Sequence, residues 1–214
     1  MAAGSIRRGA AVLALLAATA AVPGAAKASL IADGDFDALP VGLAPAGGTI
    51  SVGAWVFGDN AGVENLGGGN RAVRLESNGV PNLDPTAAQT VSGLTIGASY
   101  ELGWDMALRF NVSGAGNGPS FGVFLDSQTF SSALFLDTYL STSFITQAVT
   151  FVATSTSHTF IFAGELDGRS NGGGTTDVSY RLDNVSLNAV AVSAPSMAGL
   201  FGLAGLLLAK RRRR

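Results

Sequence analysis

Cysteine is absent from the 214 residues. That excludes disulfides, thiolate metal sites and a cysteine nucleophile, and it leaves the apolar core to hold the fold together. Histidine occurs once, at His158, so no histidine pair is present to ligate zinc. Lysine is missing between the two ends, because Lys27 and Lys210 are the only two in the chain. That interval holds five arginines, Arg71, Arg74, Arg109, Arg169 and Arg181, against all fifteen carboxylates, a formal charge of −10. The whole-chain value of −2 conceals this. A body so acidic argues against nucleic acid and anionic membrane surfaces as partners. It suits solubility outside the cell and attraction of divalent cations. Aromatic residues are few, 8% of the chain and mostly phenylalanine.

The cations missing from the middle are gathered at the ends. Arg7 and Arg8 precede an apolar stretch from Ala10 to Val22, Pro23-Gly24 breaks it, and Ala26-Lys27-Ala28 follows. This is the layout of a secretory signal peptide over 1–28: a short helix, with signal peptidase expected to cut after Ala28. At the other end, thirteen apolar residues from Met197 to Ala209 run into Lys210, Arg211, Arg212, Arg213 and Arg214. That run makes roughly 20 Å of helix, against a hydrocarbon core of roughly 30 Å. Extending back to Ala189 gives 21 residues, with Pro195 near the start, where a helix tolerates it. Gly199, Gly202 and Gly205 give that helix a small-residue face. The segment 189–214 therefore predicts a short transmembrane helix with a cytoplasmic positive stop.

A proline-containing lead-in, a short Gly/Leu/Ala helix and a terminal arginine cluster resemble the PEP-CTERM sorting signal of Gram-negative bacteria. The usual Val-Pro-Glu-Pro stands here as Val192-Ser193-Ala194-Pro195, with the first proline and the glutamate replaced. The resemblance implies recognition and removal of the tail by exosortase, a membrane protease of the inner membrane. It implies delivery to the cell surface or extracellular matrix, where substrates of that protease are linked with exopolysaccharide and biofilm.

Residues 29–188 are one domain's worth, ample for a core. In "SYELGWDMALRF", Tyr100, Leu102, Trp104, Met106 and Leu108 alternate with Glu101, Asp105 and Arg109, the period of a half-buried strand. Similar runs recur at "TISVGAWVFG", "AVRLES", "SFGVFLD", "SALFLDTYL", "ITQAVTFVA" and "SHTFIFAG", with glycine-rich breakers at 66–70, 113–118 and 168–174. No stretch has a 3.6-residue period. Short strands between such turns predict an all-β, antiparallel β-sandwich. In "VSYRLDNVSL" the apolar parity switches between Leu182 and Val185, which predicts a β-bulge at Asp183-Asn184.

The domain opens with "LIADGDFDALPVG", closes with "YRLDNVSL" and carries Gly93-Leu94, Gly97, Tyr100 and Leu102 between them. This ordering resembles the galactose-binding-like jelly rolls, including several carbohydrate-binding modules. The resemblance implies a jelly roll whose first and last strands lie side by side. It also implies a structural Ca²⁺ there, with Asp33, Asp37 and Asp183 as candidate ligands. Calcium takes six to eight oxygens, and an irregular strand end supplies carbonyls. The alternative is that Asp33 and Asp35 open a turn and Asp183 bonds locally within its bulge.

Modules of that kind bind sugars on aromatic platforms. Trp55 is offset from the Ile50-Val52-Ala54-Val56 face, so Trp55, Phe57 and Tyr139 are the candidate platform, with Arg71, Arg74 and Asp59 as polar partners; the alternative is that Trp55 and Phe57 pack beneath a loop. Trp104, mid-strand among apolar neighbours, belongs to the core. His158 shares its face with Phe160 and Phe162, which suits a structural role. Fifteen carboxylates scattered along the chain single out no glycosidase pair. "NVS" occurs at Asn111 and Asn184, and the bacterial character of the tail argues against its use as a glycosylation sequon. The expected function is an exported, non-catalytic protein whose sandwich binds or reinforces extracellular polysaccharide. A purely structural matrix component and a glycoside hydrolase are the alternatives.

Overall fold

The structure is a computed structural model, and it describes residues 28–76, 85–109, 121–137, 141–164 and 179–191. The expected signal peptide lies outside the described residues except for Ala28, and so does the sorting segment beyond 191. No helix among the described residues is long and apolar enough to cross a membrane.

Among the described residues twelve strands form two antiparallel six-stranded sheets. They are β1 (Gly42–Leu43), β2 (Thr49–Val52), β3 (Trp55–Gly58), β4 (Gly62–Gly67), β5 (Asn70–Glu76) and β6 (Thr86–Ser92). After these come β7 (Ser99–Leu108), β8 (Phe121–Leu125), β9 (Ala133–Asp137), β10 (Ile145–Val152), β11 (Ser157–Gly164) and β12 (Ser179–Ala189). Sheet A runs β1-β4-β5-β12-β7-β10 and sheet B runs β2-β3-β6-β11-β8-β9. Each hairpin stays within one sheet, while connections such as β6 to β7 cross between them.

The period-two pattern in β7 places its side chains as expected. Tyr100, Leu102, Trp104 and Met106 are buried in the core. Facing them from sheet B are Phe57, Phe160, Phe162, Phe121 and Val123, also buried. The crossing from β6 to β7 explains the Gly-Leu-x-x-Gly-x-x-Tyr spacing. Gly93 and Gly97 take φ of 84° and 82°, which glycine adopts without penalty. Leu94 is buried beneath them, and the Tyr100 hydroxyl accepts the Thr95 N–H at 2.9 Å.

The bulge stands where the parity switch puts it. Asp183 pairs with Asp105 but Ser186 pairs with Gly103, one extra residue on β12. Asn184 there takes φ 51°. The stretch 49–58 departs from expectation. It is two strands joined at Gly53-Ala54, with Val52 opposite Trp55 and Ile50 opposite Phe57. Gly53 has φ 60°, fitting a type II′ hairpin turn with glycine first. Directly opposed residues share a face, so the turn puts Trp55 and Phe57 on the core side together with Ile50 and Val52. Both aromatic rings are fully buried, whereas Val56 is 43% exposed. Trp55 and Phe57 are therefore core residues, and the expectation of an exposed platform there is corrected.

Candidate functional site

The stretch ahead of β1 is fixed first, because it shapes one end of the molecule. The Leu30 N–H donates to the Leu187 carbonyl at 2.9 Å and the Val185 N–H donates to the Gly34 carbonyl at 2.8 Å. The chain's opening segment thus lies against β12 at its bulge. Gln89, buried in β6, clamps the same segment: its Oε1 accepts the Ala32 N–H at 2.8 Å and its Nε2 donates to the Ala32 carbonyl at 2.9 Å. The Trp55 indole N–H donates to the Ala32 and Asp33 carbonyls at 3.0 and 3.2 Å. Phe36 packs against Trp55 with ring centroids 4.9 Å apart.

The candidate calcium ligands do not all converge at this end. The Asp33 carboxylate lies beside Gly53 at the β2-β3 turn. Asp37 accepts the Arg71 N–H at 2.8 Å, and Asp183 accepts the Asn184 N–H at 2.7 Å. No group of three or more carboxylate or histidine residues placed to hold a metal is found among the described residues. Asp183 nonetheless sits in an acidic field. Burial, with Asp37, Asp105 and Asp35 nearby, pushes its carboxyl up to about 6 from 3.8, against the opposing Asn184 N–H. A buried carboxylate with other carboxylates nearby is the kind of donor a cation would relieve.

The shift has a testable consequence. Folding raises the Asp183 proton affinity, so the stability this group contributes is present in full below pH about 4 and is lost as pH rises through about 6. Asp183→Asn keeps an acceptor for the Asn184 N–H and removes the charge. In urea titrations at pH 7 it is expected to be more stable than the parent chain by about 1–3 kcal/mol. The advantage should vanish at pH 4, and a D183N protein no more stable at either pH would contradict the assignment.

The outer face of sheet A holds the main concentration of chemistry. Val63, Val73, Leu182 and Met106 form one cross-strand row on the core side. The residues that alternate with them therefore stand on the opposite face. Arg74 and Arg181 are directly opposed there, a like-charge pair that would repel without compensation. Two carboxylates supply it. Arg181 Nε lies 2.5 Å from Glu64 Oε1 and Arg74 Nε lies 2.9 Å from Glu76 Oε2, the latter without hydrogen-bond alignment. Arg109, just past β7, bridges both acids: Nη1 bonds Glu76 and Nε lies 3.6 Å from Glu64 Oε2. The array runs Arg181–Glu64–Arg109–Glu76–Arg74 across four strands. Its side chains are 11–29% exposed, so the array is partly shielded yet reachable.

Three of the domain's five arginines thus stand on one rigid face. Arg74 and Arg181 meet their glutamates through Nε, which leaves their terminal amino groups outside these pairs. Next to the array, Asp105 accepts the Thr146 hydroxyl at 2.6 Å and the Asn184 amide at 2.8 Å. The face presents planar donor pairs beside acceptor pairs, the geometry that bidentate polar recognition requires.

Of the sugar-contact candidates, only Arg74 belongs to this array. Arg71 donates to the Leu39 carbonyl, on the opposite parity. Asp59 occupies a turn with φ 54°, its N–H on the Gly48 carbonyl at 3.0 Å. Tyr139 lies outside the described residues. Glu64, Glu76, Arg109 and Arg181 had no place among the candidates, although each falls at a polar position of an alternating strand.

A shallow cavity of about 460 Å³ opens at the bulge, lined by Ser29, Ile31, Asp33, Asp35, Asn184 and Ser186 among others. No aromatic ring lines it. His158 is structural. It is buried, its Nε2 accepts the Thr154 and Ser155 N–H groups at 3.2 Å, and Nδ1 lies 2.7 Å from Asp126 Oδ2. That arrangement clamps the β10-β11 turn and leaves no free ring nitrogen for proton transfer. Gly-x-Ser-x-Gly does occur at 118–122 and 168–172. A nucleophile elbow leads into a helix, whereas the first of these leads into strand β8.

No family model and no curated protein sequence matches the chain. Solved structures do. The CBM22-1 xylan-binding domain of Paenibacillus barcinonensis Xyn10C is 11% identical over 79% of this chain and all of its own length, TM-score 0.44. TmCBM61, solved with β-1,4-galactotriose, is 13% identical over 77% of this chain and all of its own, TM-score 0.43. The enzymatically active domain of bacteriophage CBA120 tailspike protein 4 is 12% identical over 76% of this chain, TM-score 0.42, and this chain spans only 21% of that one. A xylan-binding domain and a module solved with a bound sugar are thus among the structural neighbours.

Proposed function

We propose that this is an exported, non-catalytic protein whose galactose-binding-like jelly roll binds extracellular polysaccharide through the charged face of sheet A. The array from Arg181 to Arg74 carries the proposal. Pyranose rings offer vicinal hydroxyls, each both donor and acceptor. Guanidinium amino groups and carboxylate oxygens held side by side on a rigid sheet match such pairs, and partial shielding strengthens each bond. With Trp55 and Phe57 buried, recognition here is polar rather than aromatic.

Retention on immobilised polysaccharide tests the proposal. Arg74→Gln with Arg181→Gln is expected to cut retention about tenfold or more, since each charged hydrogen bond contributes about 1.5–3 kcal/mol. The melting temperature should change far less, as the pairs are partly exposed. Equal retention by parent and variant removes the face from the proposal. Failure of the parent chain to bind any polysaccharide favours a purely structural matrix protein.

The export part of the proposal rests on residues 1–28 and 189–214. On this proposal signal peptidase would act after Ala28, and the apolar run from Met197 to Ala209 with its Lys210–Arg214 stop would hold the protein in the inner membrane for an exosortase-type protease. The intact mass of protein from surface fractions should lack Met1–Ala28 and everything beyond roughly Pro195. Full-length tails confined to the inner membrane would refute the sorting proposal.

A further inference from the structure

We infer that strand β10 is a self-association edge, at which two copies of this chain join their A sheets into one. Sheets protect their edges with short strands, charges, proline or bulges. Three of the four edge strands here follow that rule: β1 has two residues, β2 has four, and β9 has five and ends in Asp137. The fourth, β10, is eight residues long, "ITQAVTFV", with no charge, proline or glycine. All eight residues pair in register with β7 and no bulge interrupts them. Among the described residues no strand pairs with its other side.

The chemistry favours a second copy as the occupant. The domain carries a formal −10, so copies repel wherever carboxylates face one another. Along β10 none do. The nearest acids on the same face are Asp105 and Glu101 of β7, opposite Thr146 and Thr150. In a paired dimer, each of these acids and its symmetry mate are at least three strand spacings apart, about 14 Å or more, beyond the screening length of about 8 Å at physiological salt. An antiparallel two-fold through Val149 opposes Thr146 with Val152, Gln147 with Phe151, and Ala148 with Thr150. These are uncharged, largely β-branched pairs of the kind that stabilise sheets. Such a contact is isologous and closes at two copies. It also covers the apolar ends of the edge, Phe144 and Val152, which are 38% and 53% exposed.

The test is sedimentation of the full chain from about 1 to 500 µM, where small interfaces dissociate, with deuterium exchange read over 145–152. The parent chain is expected to associate, more strongly in salt, and to show slower exchange in β10 as concentration rises. Ala148→Lys with Thr150→Lys sets lysines against each other across the two-fold, while Thr150→Lys lies opposite Glu101 within its own chain. The double variant should dissociate at least about tenfold more readily. Thr150→Lys alone, should the double variant melt early, is expected to show the same trend. A monomer throughout the range overturns the inference. So does association that ignores the lysines and leaves β10 exchange unchanged, which would place the contact elsewhere, for example in the apolar tail.

Discussion

Gly34→Ala is expected to destabilise the domain by on the order of 3 kcal/mol, a drop of roughly 10 °C in melting temperature for a domain of this size. The φ of Gly34 is not in the left-handed region, so conformational freedom is not the reason. A Cβ built there would stand 1.9 Å from the Val185 carbonyl oxygen and 3.0 Å from its carbon. Both atoms are backbone, held in the bulge of β12, and neither can rotate away. The opening segment would have to withdraw by more than an ångström. That would break the Val185 N–H to Gly34 carbonyl bond and loosen Phe36 and Ile31, both buried. Chemical denaturation should show a lower midpoint with unchanged slope. A G34A protein within about 1 kcal/mol of the parent would mean the segment is not docked as described.

Trp55→Ala is expected to cost about 3–5 kcal/mol, and polysaccharide retention should fall only as far as the protein unfolds. The ring is fully buried, stacked 6.4 Å from Phe57 and tilted against Phe36 and Phe162. Its indole N–H bonds two carbonyls of the opening segment. Trp55→Phe separates packing from hydrogen bonding: it keeps an aromatic ring and should cost about 1–2 kcal/mol. Retention per folded molecule should match the parent chain. Selective loss of retention in a fully folded W55F protein would restore the tryptophan as a binding platform.

What could be read from the sequence depended on whether the deciding interaction was local. The alternation in β7 and the parity switch in β12 are properties of one strand, and both appear as expected. The turn at Gly53-Ala54 is local too, but its flanks kept a period of two across it, which disguised a reversal as one long strand. That concealed hairpin is why a period of two alone sets Trp55 on the face opposite Ile50 and Val52. Strand β6 escaped notice because Ala87 and Gln89 fill core-facing positions, and a buried glutamine does not look like a core residue until its partner, Ala32, is known. The charged face was beyond sequence reasoning for a stronger reason. Glu64 and Arg181 are 117 positions apart, and only the order of strands β4, β5, β12 and β7 makes them neighbours. The Asp33 carboxylate lies toward Gly53, an orientation that no motif spacing specifies.

The central claim, that the outer face of sheet A is where polysaccharide is held, can be tested at single side chains. Between the two termini the chain has only five arginines, so the arginine Nε–H signals of ¹⁵N-labelled protein are few and can be assigned by single Arg→Gln changes. Titration with a retained oligosaccharide should shift the signals of Arg74, Arg109 and Arg181 together and leave Arg71, which is turned to the Leu39 carbonyl, in place. Saturable binding with those three signals unmoved would contradict the account.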